Sequence, residues 1–221
     1  MSIIYDLYIG DRTVSSWSLR GWLLLEKFRL DLQTHLVGLY GGTMAADMTH
    51  LAPAKLVPTP RMPDGTVVDE SLAIAETLAK HHPDIAIWPA DPAARWLCAE
   101  MASNFSELRG QCPMQLQHVN KGFSVNAGLL ADLDRLERLW AHGAKFKSVG
   151  PWLFGGYSIA DCMFAPVAVA IQNHFLRIQP LATNAQSRGG PKIEPFHFRS
   201  AWSMEHGALF SPSIQMHGVY C

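Results

Sequence analysis

A serine-rich stretch, Ser15-Ser16-Trp17-Ser18-Leu19-Arg20, stands between a run of strand-forming residues and a run with helical spacing. A hydroxyl at the start of a helix sits beside backbone N–H groups that lack a partner within the helix, and beside the positive end of its dipole. An anion placed there is stabilised. A thiolate needs such help, because a free thiol titrates near pH ~8.5 and is mostly protonated at neutral pH. A serine at that point would donate its O–H to a bound sulfur without becoming the nucleophile itself. The same residues also suit a helix N-cap, and the local sequence leaves both roles open.

Three further clusters carry chemistry or shape. In Val57-Pro58 a cis peptide would turn the backbone N–H and C=O of Val57 outward, ready to pair with an extended peptide. At Glu70-Ser71 a hydroxyl and the N–H groups of a helix start make a carboxylate site, while Glu70 offers an anion for an ammonium group; a plain cap fits the same pair. Ser158-Ile159-Ala160-Asp161 has the spacing of a capping box with Asp in the acidic place. Its role is structural, as the nucleus of an apolar helix.

The elements that position these groups follow from periodicity. Ile3 to Ile9 reads as a strand ended by Gly10-Asp11. From Ser18 to Phe28, Leu19, Trp22, Leu23, Leu25 and Phe28 keep helical spacing. Leu32 to Leu39 predicts a second strand before the Gly41-Gly42 break. Pro63-Asp64-Gly65 predicts a turn between two short extended runs, hence a hairpin. Leu72 to His81 predicts a helix stopped by Pro83. The order β-α-β-α-β-β-α describes an α/β layer. Residues 83–92 hold several prolines and read as a linker. Beyond it the pattern is helical throughout, with long stretches at Ala93 to Leu108, Ala127 to Trp140 and Ser158 to Phe175. The expected organisation is an α/β domain over 1–82, a linker over 83–92, an all-α domain over 93–178 and an atypical tail over 179–221.

Composition narrows the partners. The 221 residues carry a formal net charge of −1, too little positive field to hold a phosphate backbone, so nucleic acid is not an expected ligand. The first residues carry no positive segment and Asp6 interrupts the apolar run, so a secretion signal is not expected. The longest apolar stretch, Met163 to Ile171, is about half the length that crosses a bilayer. The expected address is the cytoplasm. Cys98, Cys112, Cys162 and Cys221 show no metal-ligand spacing and read as reduced thiols, two or three of them buried. His81-His82 suits a helix C-terminus better than a metal, so none is expected.

Taken in order and at these separations, the four clusters resemble the cytosolic glutathione S-transferase superfamily, most closely its serine-type, zeta-like and bacterial members. Ser15-Ser16-Trp17-Ser18-Leu19-Arg20 is similar to the Ser-Ser-x-Ser-x-Arg stretch of the zeta-like class. Pro53-Ala54-Lys55-Leu56-Val57-Pro58 is similar to its proline-lysine-valine-proline loop. Glu70-Ser71-Leu72-Ala73-Ile74 and Ser158 to Asp161 match its acid-plus-serine motif and its helical capping box, and Trp88 to Arg95 resembles the linker of bacterial members. The likeness spans roughly residues 1 to 178.

The resemblance implies a thioredoxin-like N-terminal domain followed by an all-helical C-terminal domain. It implies glutathione as co-substrate, with Ser15 as the catalytic hydrogen-bond donor to its sulfur. Ser16, Trp17, Lys55, Val57, Pro58, Glu70 and Ser71 would bind glutathione, Val57 through its backbone and Glu70-Ser71 at the γ-glutamyl end. The implied reaction is attack of the thiolate on a small hydrophobic electrophile held between the domains, with Trp17 and the segment Cys112 to Leu116 as lining. A homodimer is implied as well. Two other functions fit the same likeness: a non-catalytic glutathione- or partner-binding module, and a glutathione-dependent isomerase of the maleylacetoacetate type. The chain departs from the zeta-like pattern at Trp17, where that class has cysteine, and at Gly21-Trp22, where it has a second arginine. Pro60 falls in an expected strand, and the tail after Ile178 departs from the family's further helices.

Overall fold

The computed structural model describes residues 4–116 and 124–174. The expected tail, with Cys221, lies outside them. Strand β1 (Tyr5–Ile9) sits at the centre of a sheet in the order β2-β1-β3, with β2 (Leu32–Leu36) parallel to it and β3 (Thr59–Arg61) antiparallel. Helix α1 (Ser16–Glu26) makes the crossover between the parallel pair, as a parallel connection requires. A short helix α2 (Met44–Asp47) precedes β3, and α3 (Ser71–His81) closes the α/β layer.

The strand's alternation sorts its residues onto two faces. Tyr5, Leu7 and Ile9 join Leu19, Leu23, Ile74 and Leu78 in the main core. Tyr8 faces the other way, with Val37, Met48 and Leu51. Asp6 shares that second face and holds Arg61 at 2.7 Å and His35 at 2.8 Å, pinning β1 to both neighbours.

Pro60 finds its place by direction. It stands opposite Leu7, while its C=O accepts the N–H of Val68 at 3.2 Å. Carbonyl and amide of one strand residue point the same way. The missing N–H of Pro60 therefore faces Val68 rather than β1, and the central ladder is intact. The hairpin at Pro63-Asp64-Gly65 forms, with Met62 N–H on the Thr66 carbonyl at 2.7 Å. Its second arm is only a bridge, Arg61 to Val67, instead of the expected full strand.

The helical part comprises α4 (Ala93–Ser103), α5 (Ser106–Gln111), α6 (Ala127–Gly143) and α7 (Ile159–Asn173). Its core is continuous with that of the α/β layer: Leu97, Cys98, Met101, Leu136 and Phe164 belong to the same buried cluster as Leu7 and Leu23. Asp161 accepts the N–H of Ser158 and of Leu153 at 2.9 Å and the Ser158 hydroxyl at 3.0 Å, so the acid's half of the expected capping box forms while the Ser158 hydroxyl donates to the carboxylate. Burial pushes its carboxyl up to about 6 although these bonds pull the other way. Among the described residues no helix is long and apolar enough to cross a membrane.

The second strand stops at Leu36, short of the predicted Leu39, and the helix predicted from Ala93 to Leu108 breaks. Asn104 is extended and Phe105 takes a left-handed conformation, φ 66°, before α5 starts. A left-handed bulky residue costs roughly 1–2 kcal/mol. Enclosure of the Phe105 ring, 2% exposed, offsets it by a similar amount. Arg109 secures the bend by donating to the carbonyls of Ala102 and Asn104, both at 3.1 Å.

Candidate functional site

The loop between β1 and α1 is built by Asp11. Its carboxylate accepts the Thr13 N–H at 2.8 Å and the Thr13 hydroxyl at 2.7 Å, and its carbonyl accepts the Ser15 N–H at 2.8 Å. This turn delivers Ser15 in an extended conformation (φ −93°, ψ 103°) as the N-cap of α1. Its Oγ accepts the Ser18 N–H at 3.3 Å and donates to Ser18 Oγ at 2.8 Å. Ser16 is the first helical residue, so the cap falls to Ser15. Ser15 is half-buried, which leaves its hydroxyl in reach of a ligand.

Trp17 lies between two guanidinium groups, Arg20 and Arg109, each 4.5 Å from its ring centre. Arg20 is enclosed and donates from Nε to the Met163 carbonyl at 2.9 Å, tying α1 to α7. Burial and the neighbouring Arg109 cation pull it down to about 9, which still leaves it charged at neutral pH. Nearby, Leu116 N–H donates to the Thr13 carbonyl at 2.9 Å. Leu116 of the segment Cys112 to Leu116 therefore borders the loop that leads to Ser15.

The Val57–Pro58 peptide is cis, as is Ala52–Pro53. Pro58 packs on α1 at Gly21, where a Cβ would stand 2.3 Å from the Pro58 Cβ. Among the described residues the backbone N–H and C=O of Val57 join no hydrogen bond. Lys55 is exposed, and its N–H reaches the Asp69 carboxylate at 3.3 Å. That bond joins the loop to the start of α3. There Glu70 is exposed and caps the helix, accepting Leu72 N–H at 2.8 Å and Ala73 N–H at 3.2 Å through one oxygen. Ser71, the first helical residue, is buried.

Two contacts tie these elements together: Pro58 on Gly21 joins the loop before β3 to the middle of α1, and Lys55 N–H on Asp69 joins that loop to the residues just before α3. In the sequence Gly21 stood out only as a departure from the zeta-like pattern and Asp69 not at all, because each matters through a partner remote in the chain. Arg109 was missed for the same reason.

The chain's own thiols do not compete for this chemistry. Burial pushes Cys112 up to about 11 and raises Cys98 and Cys162 further, so the described cysteines are protonated at neutral pH. A cavity of about 470 Å³ lined by Trp88, Phe146, Phe154 and Tyr157 is a different place. Tyr157 packs on Phe28, beyond the far end of α1, some ~16 Å from Ser15 along an 11-residue helix. Among the described residues no cluster of metal-binding side chains occurs.

Residues 14–81 match the family described as "Glutathione S-transferase, N-terminal domain". The chain is 31% identical over 183 residues to a "Probable maleylacetoacetate isomerase" of Caenorhabditis elegans, covering 80% of this chain and 83% of that protein. Its fold is shared with a glutathione transferase homologue from Burkholderia with bound glutathione, at 21% identity, coverage of 90% and 91% and a TM-score of 0.58. A diazinon-metabolising glutathione S-transferase of the silkworm Bombyx mori shares it too, at 16% identity, coverage of 94% of each chain and a TM-score of 0.64.

Proposed function

Since the chain belongs to the glutathione S-transferase family, we propose that it binds glutathione across the heads of α1 and α3 and the loop before β3, and that Ser15 stabilises the bound thiol as a thiolate. The observation that carries this is the position of Ser15: a half-buried N-cap hydroxyl beside the free N–H groups of α1, with cis-Pro58 held against the same helix. The backbone of Val57 pairs with the cysteine of glutathione. Glu70 receives the γ-glutamyl ammonium and Ser71 its carboxylate, at a helix start suited to an anion. Ser16, Trp17 and Lys55 complete the glutathione contacts.

The thiol proton leaves to solvent. The sulfur lone pair then attacks the electrophilic carbon of a small hydrophobic substrate, and the leaving group departs with its bonding pair. Catalysis comes from the lowered thiol pKa and from holding both reactants in one cleft. The same assignment carries a cytoplasmic homodimer, checked by light scattering of the purified chain. The C. elegans relative favours a second reaction at the same site: reversible addition of the thiolate to a cis double bond, rotation, and elimination, which regenerates glutathione.

Ser15→Ala tests the assignment. The thiolate absorbance of bound glutathione, titrated against pH, should show the thiol pKa rising by about two units, since a hydrogen bond to a charged group is worth ~1.5–3 kcal/mol. Conjugation of a chlorodinitrobenzene at pH 7, or isomerisation of maleylacetone, should fall at least about tenfold. An unchanged thiolate titration would sink the assignment.

A further inference from the structure

The cavity of about 470 Å³ lies where the linker meets the head of α7, apart from the Ser15 loop. That volume suits a small organic molecule. Four aromatic rings, Trp88, Phe146, Phe154 and Tyr157, line it together with Asp91. Phe154 is enclosed within the wall, whereas Phe146 is exposed. The wall is held before any ligand arrives. Ile159 N–H donates to the Ile87 carbonyl at 2.9 Å, fixing the linker against α7. The Ser148 hydroxyl donates to the Phe154 carbonyl at 2.8 Å, and Asp91 Oδ1 accepts Ala93 N–H at 2.8 Å at the start of α4.

This wall offers charge of one sign and few side-chain donors. The Ser148 proton is used on Phe154, and the Ser158 proton on the Asp161 carboxylate at 3.0 Å. Pro89 and Pro92 bring no N–H. The indole nitrogen of Trp88 is shut off from solvent. Asp91 Oδ2, by contrast, has no partner among the described residues. Among those residues Asp91 is also the one charged group on the wall. An anion entering here would meet a carboxylate and the negative faces of aromatic rings. A cation gains from both.

Two of the rings already carry cations outside the cavity. The Arg95 guanidinium lies 4.4 Å from the Trp88 ring centre and the Lys27 ammonium 5.9 Å from that of Tyr157, and neither residue lines the cavity. Glu76 pairs with Arg95 and balances its charge. We propose that the cavity is a second ligand site, for a small methylated-ammonium cation seated among the four rings with its charge near Asp91. Methyl groups on the nitrogen spread the charge over a surface that packs on aromatic faces, and leave little N–H for this wall to satisfy.

The test is calorimetric titration of the full chain with choline and with 3,3-dimethylbutan-1-ol, its neutral counterpart in which carbon replaces the charged nitrogen. Choline should bind at least about tenfold more tightly. Asp91→Asn removes the charge yet keeps an oxygen to cap α4, so it should fold with the wild-type unfolding temperature. It should weaken choline about fivefold and leave the neutral alcohol unchanged. Phe146→Ala, at an exposed ring, should weaken choline about threefold. Saturating S-methylglutathione should leave choline affinity within about twofold, because the two sites are separate. Absence of choline binding, equal binding of the alcohol, or an unmoved affinity in Asp91→Asn overturns the proposal. Displacement of choline by S-methylglutathione overturns it as well, since the cation would then sit in the glutathione cleft. If S-methylglutathione itself fails to bind, it is the proposed glutathione site that falls, and the two variants still decide the cation site.

Discussion

Gly21 of α1 and Pro58 of the loop before β3 are in such close contact that a single methyl group would not fit between them: a Cβ on Gly21 would lie 2.3 Å from the Pro58 Cβ and 2.5 Å from its Cγ. A proline ring has no rotamer into which it can retreat. Gly21→Ala must therefore move the loop or the helix, at a cost of about 1–3 kcal/mol in stability. Because the Val57 backbone moves with Pro58, glutathione affinity should fall about tenfold, measured by calorimetry. The thiol pKa of what still binds should hold, since Ser15 caps α1 about 9 Å along the helix axis from Gly21.

Arg109→Ala should weaken the site through Trp17. The guanidinium lies over Trp17 and also holds the carbonyls of Ala102 and Asn104 at the bend. Its loss removes a cation–π contact and two hydrogen bonds from a charged group, and at ~1.5–3 kcal/mol for each bond the variant should lose about 3 kcal/mol or more of stability. Neither Ser15 nor Glu70 touches it. Because Trp17 is assigned both to glutathione and to the lining for the electrophile, steady-state kinetics should show both KM values rising several-fold while the thiol pKa holds.

The Asp6 cluster predicts how stability responds to acid. The hydrogen bond from Arg61, then that from His35, holds the Asp6 carboxyl below its ordinary value. A carboxyl depressed in the folded state contributes stability that is present above its unfolded value and is lost as pH falls through the folded one. The pair is partly exposed, with 41% and 30% of the two side chains accessible, so the contribution is about 0.5–1 kcal/mol. Asp6→Asn should be less stable than the wild type by that amount in urea at pH 7. The gap should close as pH drops below about 4, the ordinary range of an aspartate, and through the depressed value of the folded state.

The order of elements was legible in the sequence because strands and helices announce themselves by period, and the core faces of β1, α1 and α3 keep that period cleanly. The capping box was legible for a similar reason, since Ser158 and Asp161 act within one turn. The bend at Asn104–Phe105 was not. Residues on both sides keep a helical spacing, and the left-handed position that glycine usually marks is held by a phenylalanine. At the candidate site, residue types could be read but not their division of labour. Ser15 and Ser16 are alike in sequence; only the turn at Asp11 decides which becomes the cap. The enclosure of Ser18 depends on Gly10, eight residues back in another element.

The bend at Phe105 also has an evolutionary consequence. Leu97, Cys98 and Met101 anchor α4 in the shared core, whereas α5 carries Arg109 over Trp17. Had the helix run straight, one rigid rod would have served both duties, and any change of reach would have disturbed the anchor. With the break in place, the exposed positions Ser106, Glu107 and Gly110 can change without disturbing that anchor, while Leu108, enclosed in the shared core, and Arg109, which holds the bend, keep the two helices in register.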